Sequence, residues 1–337
     1  MRFGVLLDHQ YPAGDDLGRR IDELIMITET ARDLGYDSIF GIHHYLAGLQ
    51  TPQPLMVLSR LIPHSGSMLL GTAVYILPLS HPVQVAEEVA TLDQLSGGRL
   101  VFGVGAGYRE NEFESFGIDM ASRGQRLVEG VELLRELWSG ETVEHQGRHY
   151  TVRGQRISVR PRQTGGPPIW IGANNEATVR RAARIGDGWL VAPSAKERWA
   201  IGHRGFHQDE LAGVGPPARP PEYVMLRELY LADSDEQARR EAGPYLRQEH
   251  AEYAQYHLEH FLTMFDDLWR KSILGGTAEA VTTRLRHLGQ AGFTHFLFRI
   301  FWSGMPVEQS LETLRRFAAE VMPALRQVPD ATGTPAS

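Results

Sequence analysis

The amino-acid sequence predicts an α/β protein folded as one (β/α)8 barrel, the TIM-barrel architecture. Two observations predict it. Eight short runs of β-forming residues alternate with amphipathic helical segments, and strands separated by helices imply parallel pairing through right-handed crossovers. The first run leads into Asp8-His9-Gln10-Tyr11-Pro12, not into the glycine-rich phosphate turn that opens a doubly wound nucleotide-binding sheet. A chain of 337 residues, 42% of them hydrophobic, fills such a barrel as a single domain. That domain is expected over residues 1–327, with a small, polar, disordered tail at 328–337.

Each element carries its own signal. Phe3 to Leu7 is almost wholly apolar, as a strand buried on both faces must be. Ile21, Leu24, Ile27, Ala31 and Leu34 form a helical stripe, and Gly35 stops it before a strand over 38–42. A helix over 54–62 precedes a strand over 68–75. Pro82 suits the first turn of a helix over 83–95. Gly97-Gly98 ends that helix; strand four spans 100–104 and a helix spans 123–138. Residues 141–159 alternate polar and β-forming types around Gly147 and Gly154, which predicts an inserted hairpin. Strand five over 169–171, a helix over 175–185 and strand six over 188–191 follow. A Pro/Gly-rich loop at 213–221 leads to strand seven over 223–231. Residues 235–270 form a helical insertion, expected to split at Gly243-Pro244. A helix over 277–291, strand eight over 295–301 and a helix over 307–326 complete the pattern.

Composition narrows the function. The net charge of −7 comes with no run of Lys or Arg, so no nucleic-acid partner is expected. Without cysteine there is no disulfide, thiolate metal site or Cys nucleophile, and no His/Asp/Glu spacing suggests a metal. The apolar start ends at Asp8, too short for a signal peptide, and no stretch approaches the roughly 18 apolar residues of a membrane span. A cytoplasmic location is the expectation.

Active sites of these barrels lie where strands end and βα loops begin. Strand two ends in His43-His44-Tyr45, which reads either as two ordinary loop histidines or as an acid/base pair facing the mouth. Strand four leads into Gly103-Val104-Gly105-Ala106-Gly107, a plain flexible turn or a bare backbone against which a flat cofactor lies. Asn174, Asn175 and Thr178 start a helix; they cap it, and the same helix end suits a phosphate, with Arg123 as counter-charge. Phe301 and Trp302 after Arg299 either line the mouth or pack, and Tyr245, Tyr253, Tyr256, His257 and His260 read as one face of a packed helix or as a substrate lid.

Taken in order, these segments resemble the bacterial luciferase-like monooxygenases over nearly the whole chain. The resemblance rests on Gly71-Thr72-Ala73-Val74, Leu77-Pro78, His81-Pro82-Val83, Leu92-Asp93-Gln94-Leu95-Ser96 and Gly98-Arg99. It continues through Phe102-Gly103-Val104-Gly105, Phe116-Gly117-Ile118-Asp119-Met120, Gly276-Thr277-Ala278-Glu279 and Val321-Met322-Pro323. It implies reduced FMN, supplied by a separate flavin reductase, reacting with O2 through a C4a-peroxyflavin to oxygenate a small organic substrate. It also implies a cis peptide joining Ala73 to Val74 against the flavin ring, Gly105, Ala106 and Gly107 beside the ring, and Arg123, Asn174, Asn175 and Thr178 at the phosphate. His43 matches the catalytic histidine; His44, next along an extended backbone, is expected to point away and be structural.

The chain departs from luciferase at Gly105, Ala106 and Asn174, where the luciferase α-subunit has Cys, Arg and an acid, and at Ile42, where an acid usually precedes the paired histidines. Aldehyde-dependent light emission therefore does not carry over, and one phosphate contact is missing. Relatives on the same barrel use F420 for hydride transfer, and a catalytically inert flavin-binding relative is the other alternative; the His43-His44 pair favours FMN. A homodimer is expected, because the helix over 83–95 carries more apolar residues than one barrel-facing stripe needs.

Overall fold

In a computed structural model, residues 1–215, 219–254 and 265–326 are described. Twelve strands occur among them, β1 Arg2–Leu7, β2 Ser38–Gly41, β3 Leu69–Thr72, β4 Tyr75–Ile76, β5 Leu100–Gly105, β6 Val143–Gln146, β7 Thr151–Gln155, β8 Ile169–Gly172, β9 Gly188–Val191, β10 Glu222–Leu231, β11 Leu274–Gly276 and β12 His295–Arg299. Eight of these close a ring of parallel pairs in the order β1, β2, β3, β5, β8, β9, β10, β12 and back to β1. The fold is therefore the closed (β/α)8 barrel that the alternation of strands and helices predicts.

Alternation along each strand makes two cores. Leu6, Phe40, Val101, Trp170, Leu226 and Leu297 fill the barrel, where Phe40 and Trp170 stack at 5.4 Å. Phe3, Val5 and Leu7 face outward to the helices. The barrel is tight enough to dictate glycines. A Cβ on Gly103 would lie 1.9 Å from the Thr72 carbonyl oxygen, and one on Gly71 would lie 2.2 Å from the Phe40 ring.

Of the surrounding helices, those at Pro54, Pro82 and Arg123 start within one residue of the predicted positions, the one at Leu17 starts four residues earlier than predicted, and the one at Glu110 is not predicted. Helices α1 Leu17–Asp33, α2 Pro54–Leu61 and α3 Pro82–Leu95 precede the short α4 Glu110–Ser115 and the long α5 Arg123–Trp138. Asp16 caps α1 by accepting the Arg19 N–H, and Pro82 occupies the first turn of α3. Strands β6 and β7 form the inserted antiparallel hairpin. Helix α6 Glu176–Ile185 follows β8, and α7 Glu197–Val214 follows β9.

Several features differ from the sequence expectation, among them α4 and β11, which it does not contain. Helix α7 falls where no helix is predicted; Gly202 and Gly205 dilute its pattern. Helix α8 Asp235–Ala254 runs through Gly243-Pro244 without a break, because a buried face that includes Ala238, Ala242 and Leu246 outweighs the one hydrogen bond that proline removes. Strand β3 ends at Thr72, short of the predicted Tyr75, and Tyr75–Ile76 forms the separate β4 against β5. The last helix is interrupted by a π-helical turn, Phe317–Val321. The helices Phe265–Lys271 and Ala278–Gln290 flank β11. The predicted tail lies outside the described residues, as do Tyr256, His257 and His260. Among the described residues no helix is long and apolar enough to cross a membrane, and no cluster of three or more potential metal ligands occurs.

Candidate active site

The C-terminal ends of the strands gather the polar residues of the barrel. Strand β2 delivers both histidines there, and their environments differ. The amide nitrogen of Gln53 donates to the His44 carbonyl at 3.3 Å, so its oxygen, 2.9 Å from His43 Nε2, is the acceptor. His43 Nδ1 in turn accepts the Ile76 N–H at 3.0 Å. Both ring nitrogens of His43 are thus committed in a neutral tautomer, and the ring stacks on Tyr75 at 4.2 Å. Burial, then the His44 charge, depresses its pKa to about 3.

His44 has a carboxylate partner. Its Nδ1 faces Oε1 of Glu112 at 3.0 Å, and that carboxylate also accepts the Tyr45 N–H at 2.8 Å. Glu112, on α4, is fully buried. The carboxylate fixes the proton on Nδ1 and leaves Nε2 toward the Tyr108 hydroxyl, 3.4 Å away. Burial lowers the His44 pKa and the Glu112 hydrogen bond opposes that. An imidazole backed by a buried carboxylate can take up a proton at Nε2 and return it. Sequence reasoning missed Glu112, which lies on the short α4, a helix that no motif announces.

Beside the histidines a bare backbone surface opens. The peptide joining Ala73 to Val74 is cis, at the position the family resemblance indicates. The Val74 side chain is wedged between the ends of β5 and β8: a Cβ on Gly105 would meet its Cγ2 at 2.6 Å, and one on Gly172 its Cγ1 at 3.1 Å. Gly107 has φ +79° and abuts Ile76 and Phe113, so a side chain there is excluded twice over. The structure thus brings Val74 against Gly105 at the strand ends, while Gly107 packs on Ile76 and Phe113.

The phosphate candidates form a second group. Asn175 caps α6 and shares a reciprocal capping box with Thr178, whose hydroxyl also accepts the Asn174 N–H at 3.2 Å. The side chains of Asn175 and Thr178 are spent on the cap, so what α6 offers an anion is its first-turn N–H groups and dipole. Arg123 opens α5 and uses one guanidinium nitrogen on the Met120 carbonyl at 2.9 Å. Arg181 is an addition. It packs on Gly124, has no hydrogen bond or ion pair among the described residues, and its pKa is lowered by burial, Arg184 and Arg123. Arg123 and Arg181 are close enough to act on each other electrostatically, and the pocket that Arg181 lines also holds Glu129 and Glu132.

Strands β1, β10 and β12 close the other side of the mouth with ions. Arg299 is buried and bonds Asp8 at 2.7 Å, Glu228 through Nε at 2.9 Å and Glu249 at 3.3 Å. The Tyr253 hydroxyl on α8 lies 3.1 Å from the same guanidinium. The Trp302 indole donates to Glu228 at 2.7 Å, so that aromatic packs and anchors the ions. None of this cluster has sequence neighbours that announce it; it exists only through the barrel's closure.

Comparison with known proteins gives the family. Residues 1–295 match the family model described as luciferase-like monooxygenase. The chain belongs to that family. It is 27% identical over 352 aligned positions to the oxygenase component of a flavin-dependent trigonelline monooxygenase of Acinetobacter baylyi, covering 97% of this chain and 96% of that protein. It is 34% identical to an F420-dependent glucose-6-phosphate dehydrogenase of Microbacterium testaceum, over 50% of this chain and 52% of that one. Among solved structures, monooxygenase RslO1 of Streptomyces bottropensis superposes with a TM-score of 0.85 at 25% identity, covering 96% of this chain and 100% of that one. As a member of this family the chain is an oxidoreductase.

Proposed function

We propose that this protein is a monooxygenase that uses reduced FMN and O2 to oxygenate a small organic substrate, with the reduced flavin delivered by a separate reductase. The observation that carries the reading is the His44–Glu112 pair beside the backbone surface of Ala73, Val74 and Gly105. The full-length similarity to a named oxygenase component supports it; the similarity to F420-dependent dehydrogenases spans half the chain.

The flavin supplies electrons and the site of oxygen activation. The protein does the rest. Gly105, Ala106, Gly107, Ala73 and Val74 would adjoin the ring. Arg123, Arg181 and the α6 N-terminus, with Asn174, Asn175 and Thr178 shaping it, hold the phosphate. His44 holds or moves the proton at Nε2, with Glu112 balancing the charge. His43, the residue the family resemblance nominates, stays neutral and fixes the chain at Ile76 and Gln53, so we assign it positioning and give proton transfer to His44. The packed mouth keeps water from the reacting atoms.

Anaerobic titration with FMNH2, FMN and F420 tests the reading. FMNH2 binding tighter than F420 is expected. F420 binding without measurable FMN or FMNH2 binding defeats it and favours the hydride-transfer alternative. We place the enzyme in the cytoplasm, where reduced flavin is made, and propose a homodimer. Support from α3 is weaker than the sequence suggests: Val85, Ala86, Val89, Ala90 and Leu92 are buried in their own chain, while Leu95 and Met56 remain exposed.

A further inference from the structure

We propose that Tyr108 carries the proton between His44 and the reacting group, so that Glu112, His44 and Tyr108 act as one relay whose outer end is the phenol. This rests on the oxygenase reading, and it extends the proton path of that site by one residue.

One short segment supplies a partner to each nitrogen of the His44 ring. Strand β5 ends at Gly105, and Gly107, at φ +79°, turns the chain into Tyr108 before α4 brings up Glu112. Glu112 Oε1 lies 3.0 Å from Nδ1, and the Tyr108 hydroxyl lies 3.4 Å from Nε2. The Tyr108 ring also meets the imidazole edge-on, with centroids 5.6 Å apart. Exposure rises along this row: Glu112 is 0% exposed, His44 8% and Tyr108 36%. With Nδ1 tied to a buried carboxylate, Nε2 is the end of His44 that exchanges a proton, and the phenol stands between it and the open mouth. His43 has no such outlet, since Gln53 and the Ile76 N–H occupy both of its nitrogens.

Two hops along this row move one proton. The Tyr108 O–H bond breaks as the reacting group takes that proton, and the phenol oxygen takes the proton of the His44 Nε2–H in its place. Nε2 is left with its lone pair, Tyr108 is neutral as before, and the positive charge of the imidazolium has passed to the acceptor with no electron transferred. Run backwards, the same hops remove a proton from the mouth, and Glu112 balances the charge that appears on His44. A phenol on its own holds its proton at neutral pH, so the simultaneous supply from His44 is what makes the outer hop accessible. The surroundings favour outward delivery. Burial and then the Arg109 charge work against a proton resting on His44, with the Glu112 hydrogen bond opposing them. The Arg109 guanidinium also lies 5.8 Å from the Tyr108 ring centroid, where it steadies an electron-rich phenol oxygen.

Nitrogen-15 NMR of the full-length protein, labelled at histidine and free of flavin, tests the relay. The parent should show His44 protonated at Nδ1 with Nε2 accepting a hydrogen bond. Tyr108→Phe removes one hydroxyl at an exposed position. It should move the His44 Nε2 resonance downfield, leave Nδ1 protonated and the His43 resonances in place, and slow exchange between neutral and protonated His44 by up to about tenfold, the weight of one neutral hydrogen bond. FMNH2-loaded protein mixed with oxygenated buffer gives the second readout. There Tyr108→Phe should hasten peroxide release by up to about tenfold, and Tyr108→Phe combined with His44→Ala should match His44→Ala alone, because both changes interrupt one path. An Nε2 resonance or a His44 exchange rate that Tyr108→Phe leaves unchanged, or effects of the two substitutions that multiply, overturns the proposal. Failure of FMNH2 to bind sinks the oxygenase reading instead, and the flavin-free spectra then decide the relay by themselves.

Discussion

Replacing Glu112 by Gln tests the proton-transfer assignment at one atom. The new amide keeps an oxygen for the Tyr45 N–H at 2.8 Å and the His44 Nδ1–H at 3.0 Å, so the loop stays anchored and only the charge is lost. A hydrogen bond to a charged group contributes roughly 1.5–3 kcal/mol and one between neutral groups roughly 0.5–1.5, so neutral His44 loses about 1 kcal/mol. Protonated His44 loses more. Two charges about 4 Å apart interact by about 4 kcal/mol at the effective dielectric of a protein site. The difference between the two His44 states is about 3 kcal/mol, on the order of 10²-fold in any step that protonates Nε2. The assay mixes FMNH2-loaded protein with oxygenated buffer and follows flavin reoxidation and hydrogen peroxide. Glu112→Gln and His44→Ala should both hasten peroxide release by about 10–10²-fold with FMN affinity unchanged, and Glu112→Asp should fall between. The reasoning is refuted if both leave peroxide release as in the parent while His43→Ala alone raises it; His43 is then the proton-handling residue that the family match names.

Other expectations follow from single contacts. Arg123→Ala and Arg181→Ala should each weaken FMN by roughly 1.5–3 kcal/mol in fluorescence titration, the scale of a hydrogen bond to a charged group; an unchanged affinity removes that arginine from the phosphate site. Gly103→Ala forces a methyl to 1.9 Å from the Thr72 carbonyl oxygen, so urea unfolding should show a loss of about 1–3 kcal/mol or more. The raised Glu249 pKa predicts that its protonated form stabilises the fold fully below pH 4.5 and that this is lost as pH rises through about 8, by at most about 1.4 kcal/mol per unit; Glu249→Gln should flatten that slope in melts between pH 5 and 9. Sedimentation should show a dimer; a single 37.7 kDa species at micromolar concentration contradicts the proposed assembly.

The barrel was legible because period and punctuation agree along most of the chain. Helix α5 has the predicted bounds, and Asn175 caps α6 as its residue type suggests. The cis peptide at Ala73–Val74 was reached through resemblance, since no property of Thr72-Ala73-Val74-Tyr75 alone announces it. Helix α7 was hidden by glycines, and the continuity of α8 through Pro244 by a local rule that its buried face overrides. Site residues split the same way. The candidates at strand ends, His43 and Gly105, are legible by position. Glu112 and the Arg299 cluster are not, because Asp8, Glu228, Glu249 and Arg299 are up to 291 residues apart and meet only when β12 pairs with β1. The relative roles of His43 and His44 needed the hydrogen-bond partners of each ring, which backbone alternation does not supply.

The most direct test of the account is the fate of reduced flavin in the protein when O2 arrives. With the ring enclosed at the mouth and His44 controlling the proton, FMNH2 bound to the protein should reoxidise measurably more slowly than free FMNH2 and release less peroxide per flavin once a substrate is present. Reoxidation at the rate of free FMNH2, together with tight F420 binding, contradicts the oxygenase assignment and marks the protein as a hydride-transfer enzyme on the same barrel.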